Sequence, residues 1–327
     1  MAETTVQDSM ETKFAAREQA VEEGLKEVQE LTEIQYLTEN KVGFFPKLED
    51  LPEMPVLARF SYGSEAPNMS AVFFDSNKGE SELTGERNRR EFFKIQGFGE
   101  NVIQVKGKFE GTEAQIEEVT LETLQDKKFV IGNLIFTRDP RVALYILPAD
   151  CPVVVIYCKD KEGNDLVAID HCGADAENAG ITRQGLWYLQ DEYGVDLSQA
   201  QLSVFPGIGR EFTISNEPER RGNGIVERNW GSFIDPVDPA LTTDEERHKQ
   251  QRHVDILSAF EMQAIQAGIK PENIQAYRVN TYEDAAAGKA YSRRYSNEHN
   301  GARPGGNLVA VQLNPQKTKE QSLPIAA

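Results

Sequence analysis

Three cysteines and four histidines are all that this 327-residue chain contains. Cys151, Cys158 and Cys172 are odd in number and clustered, so a disulfide-stapled secreted fold is excluded and a reducing cytoplasm is the expected compartment. Four scattered histidines are too few to hold several copper ions, which bind mostly through imidazoles. Positive charge is also short. With 35 basic against 53 acidic residues the formal net charge is -18. Such a surface repels phosphate backbones and anionic headgroups, so neither nucleic acid nor a membrane surface is an expected partner. No apolar run reaches the roughly 18 residues of a membrane-crossing helix. The opening MAETTVQDSMETKF lacks the basic-then-apolar pattern of a secretory signal.

What is present suits a folded body. The chain is 39% hydrophobic and long enough to bury one large core or two modest ones. Residues 1–50 read as a charged helical extension. Val21, Leu25, Val28, Leu31 and Ile34 recur there at helical spacing, until Phe44-Phe45-Pro46 breaks the pattern. Residues 51–313 read as one mixed α/β domain. Within it, 214–252 is polar and reads as a long loop or lid insertion, and 314–327 as a disordered tail. Strands are expected at Ala58–Tyr62, Ser70–Phe74, Asn101–Lys106, Gln115–Val119, Leu202–Phe205, Ile274–Asn280 and Leu308–Leu313. Helices are expected at Glu82–Gln96, Ala176–Tyr193 and His253–Gly268, and Phe129–Phe136 is ambiguous.

The reactive residues concentrate in one stretch. Apolar runs at Val142–Leu147 and Pro152–Tyr157 flank Ala149-Asp150-Cys151, and a third run, Leu166–Ile169, leads into His171. Lys161-Glu162-Gly163-Asn164 reads as the hairpin turn between the second and third. A cysteine at a turn and a histidine at a neighbouring strand end can meet as a nucleophile–base pair or as two ligands of a zinc ion. A free cysteine between apolar runs is also an ordinary core residue. Cys172 is a poor partner for His171, because adjacent strand residues point to opposite faces. His248, His253 and His299 lie in polar segments that suit solvated side chains. Gly207-Ile208-Gly209 after a strand hints at an anion-holding turn but lacks a dinucleotide fingerprint.

These residues resemble the motifs of the laccase-domain, or multicopper polyphenol oxidoreductase, family. The resemblance runs from about Arg59 to Leu313. The family's Thr-Ala-Asp-Cys reads Pro148-Ala149-Asp150-Cys151. Its His-Ala-Gly-Trp-Arg-Gly reads His171-Cys172-Gly173-Ala174-Asp175-Ala176, and its Ser-Tyr-Arg-Arg resembles Ala290-Tyr291-Ser292-Arg293-Arg294. The resemblance implies a mixed-sheet α/β sandwich shared with the deamidase domains of cytotoxic necrotizing toxins. It implies purine nucleoside phosphorylase or adenosine deaminase activity, a transferase or hydrolase, with one branch editing peptidoglycan precursors. It implies a small-molecule substrate such as a purine nucleoside with phosphate, and zinc held by a His-Cys-His set. Cys151 and His171 match two of those ligands, but the family's Gln-Val-His-Gly reads Gln104-Val105-Lys106-Gly107. An ammonium must lose its proton before it can bind a cation. The expected catalytic group is therefore Cys151, His171 and Lys106, with Arg293, Asp150 and Arg59 binding substrate. The alternative is a degenerate relative that binds a small molecule or a protein.

Overall fold

The structure, a computed structural model, describes residues 56–61, 69, 82–107, 114–124, 127, 129–173, 176, 177, 179–209, 213–215, 251–253, 255–277, 280–299 and 305–313. The N-terminal helix, the strand at Ser70–Phe74, most of 214–252 and the C-terminal tail lie outside those residues.

The described elements are β1 (Val56–Phe60), α1 (Glu82–Ile95), β2 (Asn101–Lys106), β3 (Ile116–Glu118), β4 (Phe129–Ile131), β5 (Leu134–Thr137), β6 (Val142–Ile146), β7 (Val153–Lys159) and β8 (Asp165–His171). After them come α2 (Ile181–Tyr193), β9 (Gln201–Phe205), β10 (Thr213–Ser215), β11 (Gln251–His253), α3 (Ile256–Ala267), β12 (Ile274–Ala276), α4 (Thr281–Ala286), α5 (Arg293–Glu298) and β13 (Val309–Leu313).

Two mixed sheets result. The first has the order β1-β13-β6-β2-β4 and the second β12-β9-β7-β8-β5-β3. Their near-continuous apolar strands are what burial on both faces demands. Alternate residues from each meet between the sheets: Ile103, Val105, Leu144 and Val311 from the first, Val153, Val155, Val167 and Ile169 from the second. The outer face of the first sheet carries Tyr145 and Ala310 under Phe93 of α1. The outer face of the second sheet packs on helix, and α2 comes so close that a Cβ on Gly185 would lie 2.8 Å from Leu134 Cδ1. No helix among the described residues is long and apolar enough to cross a membrane.

The three apolar runs around Cys151 and His171 form β6, β7 and β8, and Gly163 takes φ 83° in the expected hairpin turn. Three expectations shift. Phe129–Phe136 splits into β4 and β5, which belong to different sheets. The helix expected from Ala176 is helical at Ala176 and Glu177, is interrupted at Gly180, which adopts the left-handed φ of 72°, and resumes at Ile181. The helix expected from His253 begins at Ile256, where Asp255 caps it by accepting from Ser258 N, and His253 instead ends β11. The strands β10 and β11 pair antiparallel and bring together the two ends of the 214–252 segment.

Candidate functional site

The turn after β6 is held from three sides. Asn307 N–H donates to Pro148 O at 2.9 Å, and Ile208 N–H donates to Asp150 O at 2.8 Å. The Asp150 carboxylate accepts from Thr281 Oγ1 at 3.1 Å and from Arg294 N–H at 2.8 Å. Burial pushes its pKa up, against the opposing pull of the Ser292 hydroxyl, the Arg294 and Arg293 N–H groups and the Thr281 hydroxyl. Asp150 thus ties the turn to the starts of both α4 and α5. Gly207 serves close packing here: a Cβ on it would lie 2.6 Å from Pro152 Cγ and 3.0 Å from Asp150 O.

The same turn sits beside the end of β8. Val153 pairs with His171, and Cys172 N–H donates to Pro152 O at 3.0 Å. Cys151, the residue before Pro152, is half-buried. His171 shares the inner face of β8 with Val167 and Ile169, which belong to the core between the sheets. The end of β2 closes over its ring, since a Cβ on Gly107 would lie 2.2 Å from Nδ1. His171 keeps part of its surface exposed, yet enclosure of its ring holds the pKa down to about 4, so the imidazole is neutral at ordinary pH. Lys106 precedes that glycine but points elsewhere. Its neighbour Val105 fills the inter-sheet core, while Lys106 Nζ lies 3.5 Å from the Phe129 ring centroid on the opposite face.

The other face at this end of β8 carries a second cluster. Asp170, Cys172 and Glu177 are buried, and one ligating atom from each lies within 4.8 Å of the others. The Thr182 hydroxyl, in the first turn of α2, lies 2.8 Å from Asp170 Oδ2, 2.7 Å from Glu177 Oε1 and 3.9 Å from Cys172 Sγ. Burial pushes both carboxyls well above the usual carboxylate range. Burial, the Asp170 and Glu177 carboxyls and, less strongly, Cys151 raise the Cys172 thiol, which keeps its proton. Cys158, deep in β7, is pushed up to about 12 by burial and then Asp160, and is an inert core thiol.

Other residues singled out in the sequence lie elsewhere. Arg293 is exposed at the first position of α5. Arg59 pairs in register with Ala310, and its side chain lies outside the described residues. His299 is exposed and stacks on Tyr295 with ring centroids 4.1 Å apart. His248 lies outside the described residues. Asp170, Glu177 and Thr182 were not among the residues expected to form the site. The available signal was an acid at the end of the otherwise apolar run before His171.

Residues 62–309 match the family described as multi-copper polyphenol oxidoreductase laccase, and the chain belongs to that family. It is similar to a purine nucleoside phosphorylase of Bacteroides thetaiotaomicron, 25% identical over 151 residues that cover 46% of this chain and 51% of that one. The chain therefore spans about half the length of this curated relative. Its fold is shared with Bacillus licheniformis hypothetical protein YfiH, at TM-score 0.58 and 17% identity over 79% of this chain and 92% of that one. It is shared too with YlmD from Geobacillus stearothermophilus, at TM-score 0.58 and 19% identity over 80% and 93%. Neisseria meningitidis protein NMB0706 matches at TM-score 0.56 and 14% identity over 80% and 95%.

The family's description and the motif resemblance both imply a metal. The His-Cys-His set does not fit this chain, because Lys106 stands where the third ligand would be and its ammonium is drawn over Phe129. Two donors, Cys151 and His171, fall short of the three protein ligands of a catalytic zinc.

Proposed function

We propose that the chain is an enzyme acting on a purine nucleoside or a related amine- or amide-bearing small molecule. Cys151 is the nucleophile, and His171 carries the proton. One observation carries this reading: Val153 pairs with His171 and Cys172 N–H bonds to Pro152 O, which fastens the half-buried Cys151 beside the strand end that bears the imidazole. The relative named a purine nucleoside phosphorylase supports the substrate class. The resemblance to toxin deamidase domains supports a Cys–His pair working without metal.

A neutral imidazole can accept a proton, which a protonated one cannot. With a pKa near 4 it is too weak a base to hold a standing thiolate–imidazolium pair against a thiol of ordinary pKa about 8.5. The proton therefore moves as the sulfur attacks. The sulfur bonds to the electron-poor carbon that bears the amine, and the thiol proton passes through His171 to the leaving amine. Water then cleaves the carbon–sulfur bond and restores the thiol. Lys106 takes no part in this step, because its ammonium lies on the other face of β2. Arg293, exposed beside the N–H groups that bind Asp150, is the cation offered to an anionic substrate group.

The test incubates the full chain with adenosine and inosine, with and without phosphate, and follows ammonia and free base. Ammonia release marks deamination, and phosphate-dependent free base marks phosphorolysis. Cys151→Ala and His171→Ala should each lose at least ~100-fold in rate. A Cys151→Ala protein with full rate refutes the assignment. A second reading, a non-catalytic binding relative, is favoured by the departures at Lys106, Ala174 and Asp175. It holds if nucleoside binds without turnover.

A further inference from the structure

We propose that Asp170, Cys172 and Glu177 form a buried site for a zinc-like divalent cation, on the face of β8 turned away from His171. This inference does not depend on the catalytic reading above.

The cluster contains two orphaned atoms. Asp170 Oδ1 and Glu177 Oε2 accept no hydrogen bond of good geometry, although the His171 N–H and the Cys172 thiol lie near the two carboxyls, in residues that are 1% and 0% exposed. A buried carboxylate oxygen with nothing to bind is costly and marks a missing proton, water or ion. The Thr182 hydroxyl lies at hydrogen-bond distance from both carboxyls, yet it has one hydrogen and can donate to one of them only. Without a cation, the second contact requires a proton shared by the pair.

Charge also closes around a dication. Two carboxylates and a thiolate carry three negative charges. The Arg183 guanidinium, 1% exposed and donating to Gln266 Oε1, acts weakly on Glu177, whose pKa burial raises, and supplies one positive charge. A divalent cation brings the sum to zero. Binding expels the Cys172 proton and the proton shared by the carboxyls, and the sulfur and oxygen lone pairs coordinate in their place. One thiolate with two carboxylates suits a borderline-soft ion that accepts few ligands, as zinc does. Calcium requires six or more oxygens and is a poor match. The buried position means that the ion enters as the chain folds. Thr182, in contact with both carboxyls, orients them for it.

The experiment refolds the metal-free full chain with Zn²⁺ or Co²⁺. It measures bound metal after dialysis, the near-ultraviolet thiolate-to-cobalt band and the melting temperature. The wild type should retain one metal per chain, show the band and melt higher with metal. Cys172→Ala should lose the band, and both Cys172→Ala and Glu177→Gln should weaken binding at least ~10-fold. Cys151→Ala should keep band and stoichiometry. Glu177→Gln preserves shape and decides the matter if Cys172→Ala does not fold. A folded wild type that takes up no metal overturns the proposal. So does a band that survives in Cys172→Ala and vanishes in Cys151→Ala, since that would put the ion on the other face. Loss of nucleoside turnover in Cys151→Ala bears on the catalytic reading alone.

Discussion

His171 and the pair Asp170 and Cys172 are consecutive in the chain yet meet different surroundings. His171 faces the end of the inter-sheet core, where the backbone of Gly107 lies against its ring. Asp170 and Cys172 face α2, where they meet Glu177 and Thr182. Burial acts on both faces with opposite effects on charge. It strips the proton from the histidine, a base, and retains protons on the carboxyls and the thiol, which are acids. One strand end thus holds a neutral imidazole on one side and a proton-rich acid cluster on the other, because the sheet keeps them apart.

The largest expected effect that separates the two faces comes from Gly107→Ala. The new methyl group would fall 2.2 Å from His171 Nδ1, so strand end or ring must move. Catalytic rate should drop at least ~100-fold, because a misplacement of about 1 Å is enough for that. Metal uptake by the Asp170 face should be unchanged, and loss of both would show that the two faces are coupled.

Asp150→Ala comes next. It leaves the Arg294 N–H and the Thr281 hydroxyl without their acceptor and frees the turn that carries Cys151. The expected cost is about 3 kcal/mol in denaturant unfolding. Because the turn also lies against Cys172 through Pro152, a slower-reacting Cys151 with an intact Asp170 face would confine the damage to one side.

A smaller effect comes from pH. In the metal-free chain, burial raises Asp170 from 3.8 to about 7 and Glu177 from 4.5 to about 8. Between those limits the folded state binds more protons than the unfolded one. Stability should therefore fall as pH rises from about 4 and level off above about 8. Glu177→Gln should flatten that slope in urea melts taken across the range, and an unchanged slope would remove the carboxyl pair as its cause.

The smallest effect is a shifted limb. With His171 held to about 4, the rate should stay level on acidification well below the ordinary imidazole pKa of about 6.5 and fall only near pH 4. The sign for stability is opposite to that of the carboxyls. The unfolded histidine takes its proton first, so this group costs stability as pH drops through the same window. A rate limb near 6.5 would mean that His171 is open to water in the working enzyme.

Much of the site's framework was legible from the chain. Val142–Leu147, Pro152–Tyr157 and Leu166–Ile169 are unbroken apolar runs, and such runs become strands because burial on both faces suits them. The turn residues between β7 and β8 fix the pairing, and that pairing brings Val153 opposite His171. Phe129–Phe136 was not legible. One apolar stretch serves two sheets there, and Gly132-Asn133, where it divides, is a weak local signal. The break between the helical residues at Ala176 and Glu177 and the start of α2 was not legible, because the apolar pattern runs through Gly180, whose left-handed backbone causes it. Lys106 was legible as a missing ligand but not as a residue aimed away. Its direction depends on the alternation of β2 and on the position of Phe129 in a neighbouring strand.

By itself, the sequence determined where the few thiols and imidazoles lie along the strands and which face each strand residue takes. Successive strand residues alternate, so Asp170 and Cys172 had to turn away from His171. Tertiary structure alone decided what each face meets. Thr182 and Glu177 reach Asp170 because α2 packs on the second sheet, and Gly107 reaches His171 because the end of β2 crosses over it. Those contacts join segments whose spacing in the chain carries no local signal, and burial in the assembled core is what sets the charge of every group in them.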